Sequence, residues 1–311
     1  MRKKIVSLSL VMVMMFCFVS VAYPWGYAGH AYIAAKLNKQ LGQRNENEVY
    51  GAMAPDLFNF SFDLPVYAPG GPYYQLHYLF PQVWDQEKTG MEKGLGYGFI
   101  SHNDLWGADF TAHHSSRTYG AEHGYVVAKA GELSAAAPLL ASMVGEDAAL
   151  ELCHTFVEFG LEVLTKRMDP QIGDKICSAA RARSPRFADQ LVEAYADGLA
   201  PYCGGSPELA AMAIILAEGE FRDQMLVYGQ MLMMDEQDLL DGLAVYLAGF
   251  ADDYLAANGI TLPPGVDLVP VIRFYMQMSM VLCEDDYPTE LGATVKFVDA
   301  EMARHGTGNR Q

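Results

Sequence analysis

Asp147-Ala-Ala-Leu-Glu-Leu-Cys-His-Thr-Phe-Val-Glu-Phe-Gly-Leu-Glu-Val-Leu-Thr-Lys166 decides the fold class. Apolar residues recur along it at the spacing of an amphipathic helix, and the same period returns over Gly29 to Leu41, Tyr97 to His114, Tyr125 to Val144 and Pro185 to Leu199. Further helices read from Pro207 to Ala217, Phe221 to Met234, Glu236 to Asn258, Val269 to Cys283 and Thr289 to Arg304. Pro185 and Pro207 each sit near a first turn, where a missing N–H costs little, and Gly259 marks a stop. Strand signals are scarce, so the expected class is all-α, a multi-helical domain with additional C-terminal helices.

Gly- and Pro-rich breaks at Tyr67 to Tyr74, Pro201 to Pro207 and Thr261 to Gly265 punctuate the pattern. The break at Cys203-Gly204-Gly205 divides a His-rich helical core, residues 23–200, from a Met-rich and acidic region, residues 201–311. Two arrangements stay open: separate units, or one domain whose later helices buttress the first. Ahead of both, Arg2-Lys3-Lys4, an apolar run from Ile5 to Ala22 and the small residues Ser20-Val21-Ala22 have the layout of a secretory signal over 1–22. The expected destination is secreted or periplasmic; an uncleaved anchor is the alternative, since the run is about long enough to span a bilayer. Removing residues 1–22 takes away three basic residues and no acid, moving the net charge from −17 to −20. Such acidity argues against a stable duplex nucleic-acid partner, which requires a basic footprint. Cys153, Cys177, Cys203 and Cys283 then remain, enough for two disulfides in an oxidising compartment, with buried free thiols as the alternative.

Seven of the eight histidines precede Glu158. On a continuous helix Asp109 falls about 20° from His102 after seven residues, and His113 about 40° from Asp109 after four, so the three share a face. His154 and Glu158, four apart, share a face of a second helix. Imidazole nitrogen and carboxylate oxygen are the ligand set of zinc and similar borderline cations.

Trp25-Gly26-Tyr27-Ala28-Gly29-His30, Ala54-Pro55-Asp56, a segment bearing His102, Asp109 and His113, and His154-x-x-x-Glu158 together resemble the zinc-dependent phospholipase C family and its relatives, the P1-type single-strand-specific nucleases. The resemblance covers Trp25 to Glu158, about half the mature chain. It implies an all-α phospholipase C/P1 nuclease-like fold holding up to three zinc ions. In that family the roles would fall on His77, His102 and Asp109 for one ion, with Asp56 completing the shell or acting as base. His113, His154 and Glu158 would hold a second ion; His30, a shared Asp109 and the amino nitrogen and carbonyl of Trp25 a third. The sequence departs from the family in having Tyr23 and Pro24 ahead of Trp25 at the expected cleavage site, and in steps of seven and four residues where the family has four and six. His114 is the alternative to His113.

The expected activity is an exported zinc-dependent phosphodiester hydrolase of the phospholipase C type, with Asp56 orienting or deprotonating the attacking water. Three carboxylates against three divalent ions leave such a cleft about three units positive, enough to draw phosphate to an acidic protein. A P1-type nuclease or nucleotidase and a non-catalytic zinc-binding helical protein are the alternatives. The expected partner is a phospholipid or other phosphate ester, with transient membrane-surface contact. The aromatic segment from Phe58 to Phe80 either borders the cleft for an apolar substrate part or packs structurally, and Asp104 and Trp106 are candidate lining residues. The methionines of Met225 to Met234 and Met276 to Met280 read as core, and His123 and His305 have no partner pattern.

Overall fold

A computed structural model of the chain describes residues 25–60, 64–85, 90–257 and 267–307. The protein is all-α: among these residues the one sheet is a two-residue hairpin pairing Ser115–Ser116 with Gly120–Ala121. The expected signal over 1–22, Tyr23 and Pro24 lie outside the described residues, as does the stop at Gly259. No single helix among the described residues is long and apolar enough to cross a membrane.

The chain opens with α1 (Gly26–Leu37), α2 (Gln43–Met53) and a 3-10 turn (Ala54–Phe60) that carries Asp56. The segment through Gly51 is helical up to Met53. Then come α3 (Pro72–Tyr78), α4 (Pro81–Asp85), α5 (Gly90–His102) and α6 (Ala108–His113). Next are α7 (Tyr125–Ala136), α8 (Pro138–Val144) and the long α9 (Glu146–Met168), which packs on α7, α14 and α1. The remainder comprises α10 (Ile172–Ala182), α11 (Phe187–Leu199), α12 (Pro207–Met233), α13 (Glu236–Ala257), α14 (Leu268–Cys283) and α15 (Tyr287–Arg304). Helix α12 lies against α10, α11 and the Asp56 turn, and α15 returns to cover α1 and α6.

Three helix boundaries differ from the periodic reading for local reasons. Tyr97 to His114 is two helices. The Asn103 side-chain oxygen accepts the N–H groups of Leu105, Trp106 and Gly107 at 2.9, 2.9 and 3.2 Å, offering the backbone a turn in place of the next helical rung. His102 and Asp109 thus sit on different helices, and the shared-face geometry does not apply to them. Tyr125 to Val144 is divided at Ala137, because Pro138 restricts the residue before it and starts a new helix. Conversely, Pro207 to Met233 runs unbroken through Gly219, and Ser206 caps it by accepting the Leu209 N–H.

Helices α2 and α5 approach backbone to backbone, and glycine is what permits it. A Cβ on Gly98 would lie 1.9 Å from the Glu48 carbonyl oxygen, one on Gly94 2.4 Å from that of Arg44, and one on Gly51 2.1 Å from that of Leu95. This crossing brings the carbonyl of Ala52 within 2.7 Å of the His102 ring. The core around it is aromatic: Trp25 is fully buried, stacks on Tyr125 at 5.6 Å and donates its indole N–H to Ala108 O at 2.7 Å. Met225, Met276 and Met280 belong to the core as expected, whereas Met233 and Met234 are exposed at the end of α12. Cys153, Cys177, Cys203 and Cys283 are all free thiols.

Gly98→Ala is expected to destabilise the fold by about 1–3 kcal/mol or more through overpacking. Gly219→Ala, a helical position with nothing within 4 Å, is expected to stabilise it by about 0.4–1 kcal/mol. Urea unfolding followed by circular dichroism separates the two; equal effects would remove the close helix approach as their cause.

Candidate metal centre

His102 ends α5 with its Nδ1 2.7 Å from Ala52 O, and His77, on α3, holds its Nδ1 3.1 Å from Tyr73 O. A carbonyl oxygen only accepts, so each Nδ1 carries a proton, and each ring when neutral presents a lone pair at Nε2. The two Nε2 atoms face one another at 3.1 Å. When both rings are neutral their lone pairs oppose; a proton on His77 Nε2 or a shared cation removes the opposition. Asp109 Oδ2 lies 3.3 Å from His77 Nε2 and 3.2 Å from His102 Nε2, and Asp56 Oδ1 lies 3.6 and 3.7 Å from the same atoms. Ligands held at about 2.0–2.2 Å by one tetrahedral zinc stand about 3.3–3.6 Å apart; the five separations here, 3.1 to 3.7 Å, bracket that range.

The residues fit a cation on a second ground. Asp56, Asp109, His77 and His102 are all fully buried, and among the described residues no well-formed hydrogen bond reaches the carboxylate oxygens of Asp56 or Asp109. Burying ionised carboxylates without such partners is costly, and a central cation removes the cost. Backbone carbonyls holding the far nitrogens of both imidazoles are what fixes a metal-binding histidine in its tautomer and orientation.

Asp109 also faces the other way. Its Oδ1 lies 3.2 Å from His30 Nε2, and the His30 ring stacks on His102 with centroids 3.9 Å apart. Burial, aided by the neighbouring His102, lowers the His30 pKa, keeping that imidazole neutral with a lone pair to give. Burial alone would raise the Asp109 carboxyl, but His102, His30 and His77 together hold it well below the usual carboxylate range. One carboxylate therefore faces two groups of histidines. A separate group lies on α6 and α9: His113, His154 and Glu158 bring ligand atoms within 4.8 Å of one another, with His154 Nδ1 3.0 Å from Glu158 Oε1.

Of the residues named from sequence, His30, Asp56, His77, His102 and Asp109 thus converge, and His113 meets His154 and Glu158. Asp109 and His113 share α6 yet serve different groups. The Trp25 ring is a core anchor. His114 belongs to a further cluster with Asp104 and His113. His305 stacks on Trp106 at 4.7 Å, and Trp106 meets Phe80 edge-on at 5.4 Å. The aromatic segment packs directly behind the centre. Tyr73 stacks on His77 at 4.2 Å, and Phe58 meets the same ring edge-on at 5.3 Å.

Sequence reasoning passed over Glu162, whose signal was its place four residues beyond Glu158 on the same line as His154. Fully buried, it accepts the Ala28 N–H at 2.9 and 3.1 Å and the Tyr228 hydroxyl, tying the start of α1 to α9; burial pushes its pKa up to about 8. The Trp-Gly sequence has a physical reason here. Gly26 has φ +62°, and a Cβ on it would lie 1.7 Å from Glu162 Oε1.

The chain matches no known protein family, no curated protein and no solved structure.

Burial disfavours charge on His77, but Asp109 and Asp56 outweigh it and push its pKa up to about 9, from an ordinary 6.5. Without metal, His77 is therefore protonated at pH 8 and must lose that proton to bind a cation. Adding zinc to chelator-stripped protein in weak buffer is expected to release a proton from this group at pH 8, with apparent affinity rising as pH approaches 9. Indicator-dye measurement of proton release checks this; zinc uptake without proton release would contradict it.

Proposed function

We propose that the chain is an exported zinc-dependent phosphoester hydrolase acting on phospholipid headgroup esters, with up to three ions held by the His30–Glu158 ligand set. The observation that carries this reading is the pair of imidazole Nε2 atoms facing each other at 3.1 Å beside two buried carboxylates. Zinc supplies Lewis acidity at a phosphoryl oxygen and lowers the pKa of a coordinated water toward about 7. His77, His102, Asp109 and Asp56 would hold one ion; His30 and Asp109, with the Trp25 main chain, another; and His113, His154 and Glu158 the third. Asp109, facing both histidine groups, sets the spacing of the first two. Asp56, whose contacts with His77 and His102 are the longest of the quartet, would orient or deprotonate the attacking water.

Two features support a lipid ester as the substrate. The chain is strongly acidic, which disfavours a polyanionic nucleic acid. The solvent face of α12 presents Leu209, Met212 and Leu216 at 52, 58 and 66 % exposure, and the approach to this helix is tied to the aromatic segment by the Tyr202 hydroxyl donating to Pro69 O. Exposed apolar surface of that kind suits an apolar aggregate more than a free nucleotide.

The purified protein with zinc is expected to release phosphorylated headgroup from phosphatidylcholine, to lose activity with chelator and to regain it with zinc. Asp109→Asn is expected to lower both turnover and zinc content. Cleavage of single-stranded nucleic acid alone would replace the lipid reading with a nuclease; zinc retention with neither activity would leave a binding protein.

A further inference from the structure

One further cluster of metal-ligating groups shares His113 with the His113–His154–Glu158 group. Asp104 is only 3 % exposed and is held firmly by one carboxylate oxygen: Oδ2 accepts the hydroxyls of Tyr73 and Tyr78 at 3.2 and 2.6 Å. Its Oδ1 faces His114 Nε2 at 3.0 Å and His113 Nδ1 at 3.5 Å, yet among the described residues it makes no hydrogen bond of acceptable geometry. A buried oxygen aimed at two imidazole nitrogens, at separations bracketing those of ligands on one ion, is a cation position.

We propose that Asp104, His113 and His114 form an outer station at which a borderline divalent cation is first captured and from which it passes through His113 to His154 and Glu158. The proposal rests on the metal reading above and adds the path of loading. Exposure falls along that path: the side chains of His114, His113 and Glu158 are 48, 13 and 0 % exposed. His113 is common to both trios, and passing from one to the other exchanges His114 and Asp104 for His154 and Glu158. The ion therefore sheds water in steps and is never stripped at once, and no bond other than metal–ligand bonds changes. Tyr73 and Tyr78 keep Asp104 turned toward the histidines, and His114, at the surface, makes the first contact.

A station on the route lowers the barrier in both directions and leaves the end states alone. The test is stopped-flow mixing of chelator-stripped full chain with Co2+, followed through the visible absorption of the bound ion, alongside equilibrium titration. His114→Ala is the main variant because its side chain is half exposed; Asp104→Asn is the second, with circular dichroism verifying the fold of each. Loading into the His113–His154–Glu158 position and release from it are expected to slow severalfold together, with the number of bound ions and the equilibrium Kd unchanged. Unaltered rates would overturn the proposal. Loss of an ion, or a weaker Kd with unaltered loading, would also overturn it, making His114 an ordinary permanent ligand. If the unaltered protein takes up no Co2+, the metal reading itself fails and the station with it.

Discussion

The constraint on which the rest of the structure depends is the approach of two imidazole Nε2 atoms to 3.1 Å beside two buried carboxylates. The Ala52 carbonyl holds the His102 Nδ1 proton and the Tyr73 carbonyl that of His77, so both rings keep Nε2 turned toward each other. The fold holds that arrangement from several directions. Gly51, Gly94 and Gly98 let α2 and α5 touch, which places Ala52 against His102. Tyr73 and Phe58 brace the His77 ring, and the break after His102 swings α6 round so that Asp109 closes the quartet. Together these devices gather histidines and carboxylates in a dry interior, where they are stabilised by a positive charge they share, a proton or a cation.

The same logic explains the wider electrostatics. A chain with net charge −17 keeps Asp56, Asp109 and Glu158 in its interior beside histidines, where a cation is attracted strongly and screened little. Glu162 lies just beyond them, buried and pushed up to about 8, so it ties α1 to α9 without adding a full negative charge at lower pH. That tie sets where α1 begins and, one turn later, where His30 meets Asp109.

Local patterns were legible wherever one helix carried the whole signal. His154 and Glu158, four apart on the unbroken Glu146–Met168 helix, could be paired from spacing alone, and the all-α class follows from the same period. Spacing failed where geometry is made by a break: Asn103 caps the turn that separates His102 from Asp109, and nothing in the hydrophobic period records a side chain bonding the backbone. His77 reaches the centre on a short helix after a Pro- and Gly-rich segment, so its place was implied only by resemblance to a family. Asp104 was visible merely as a residue near the cleft, because the two tyrosines that orient it lie 26 and 31 residues earlier. Glu162 escaped because its partners, Ala28 and Tyr228, are on distant helices.

The most direct measurement is a crystal structure of zinc-loaded protein with anomalous scattering recorded on both sides of the zinc edge. The account predicts an anomalous peak between His77 Nε2, His102 Nε2, Asp56 and Asp109, within about 2.0–2.2 Å of each. No peak there, with the two Nε2 atoms still about 3.1 Å apart, would mean that a proton and not a metal holds these rings together, and would contradict it.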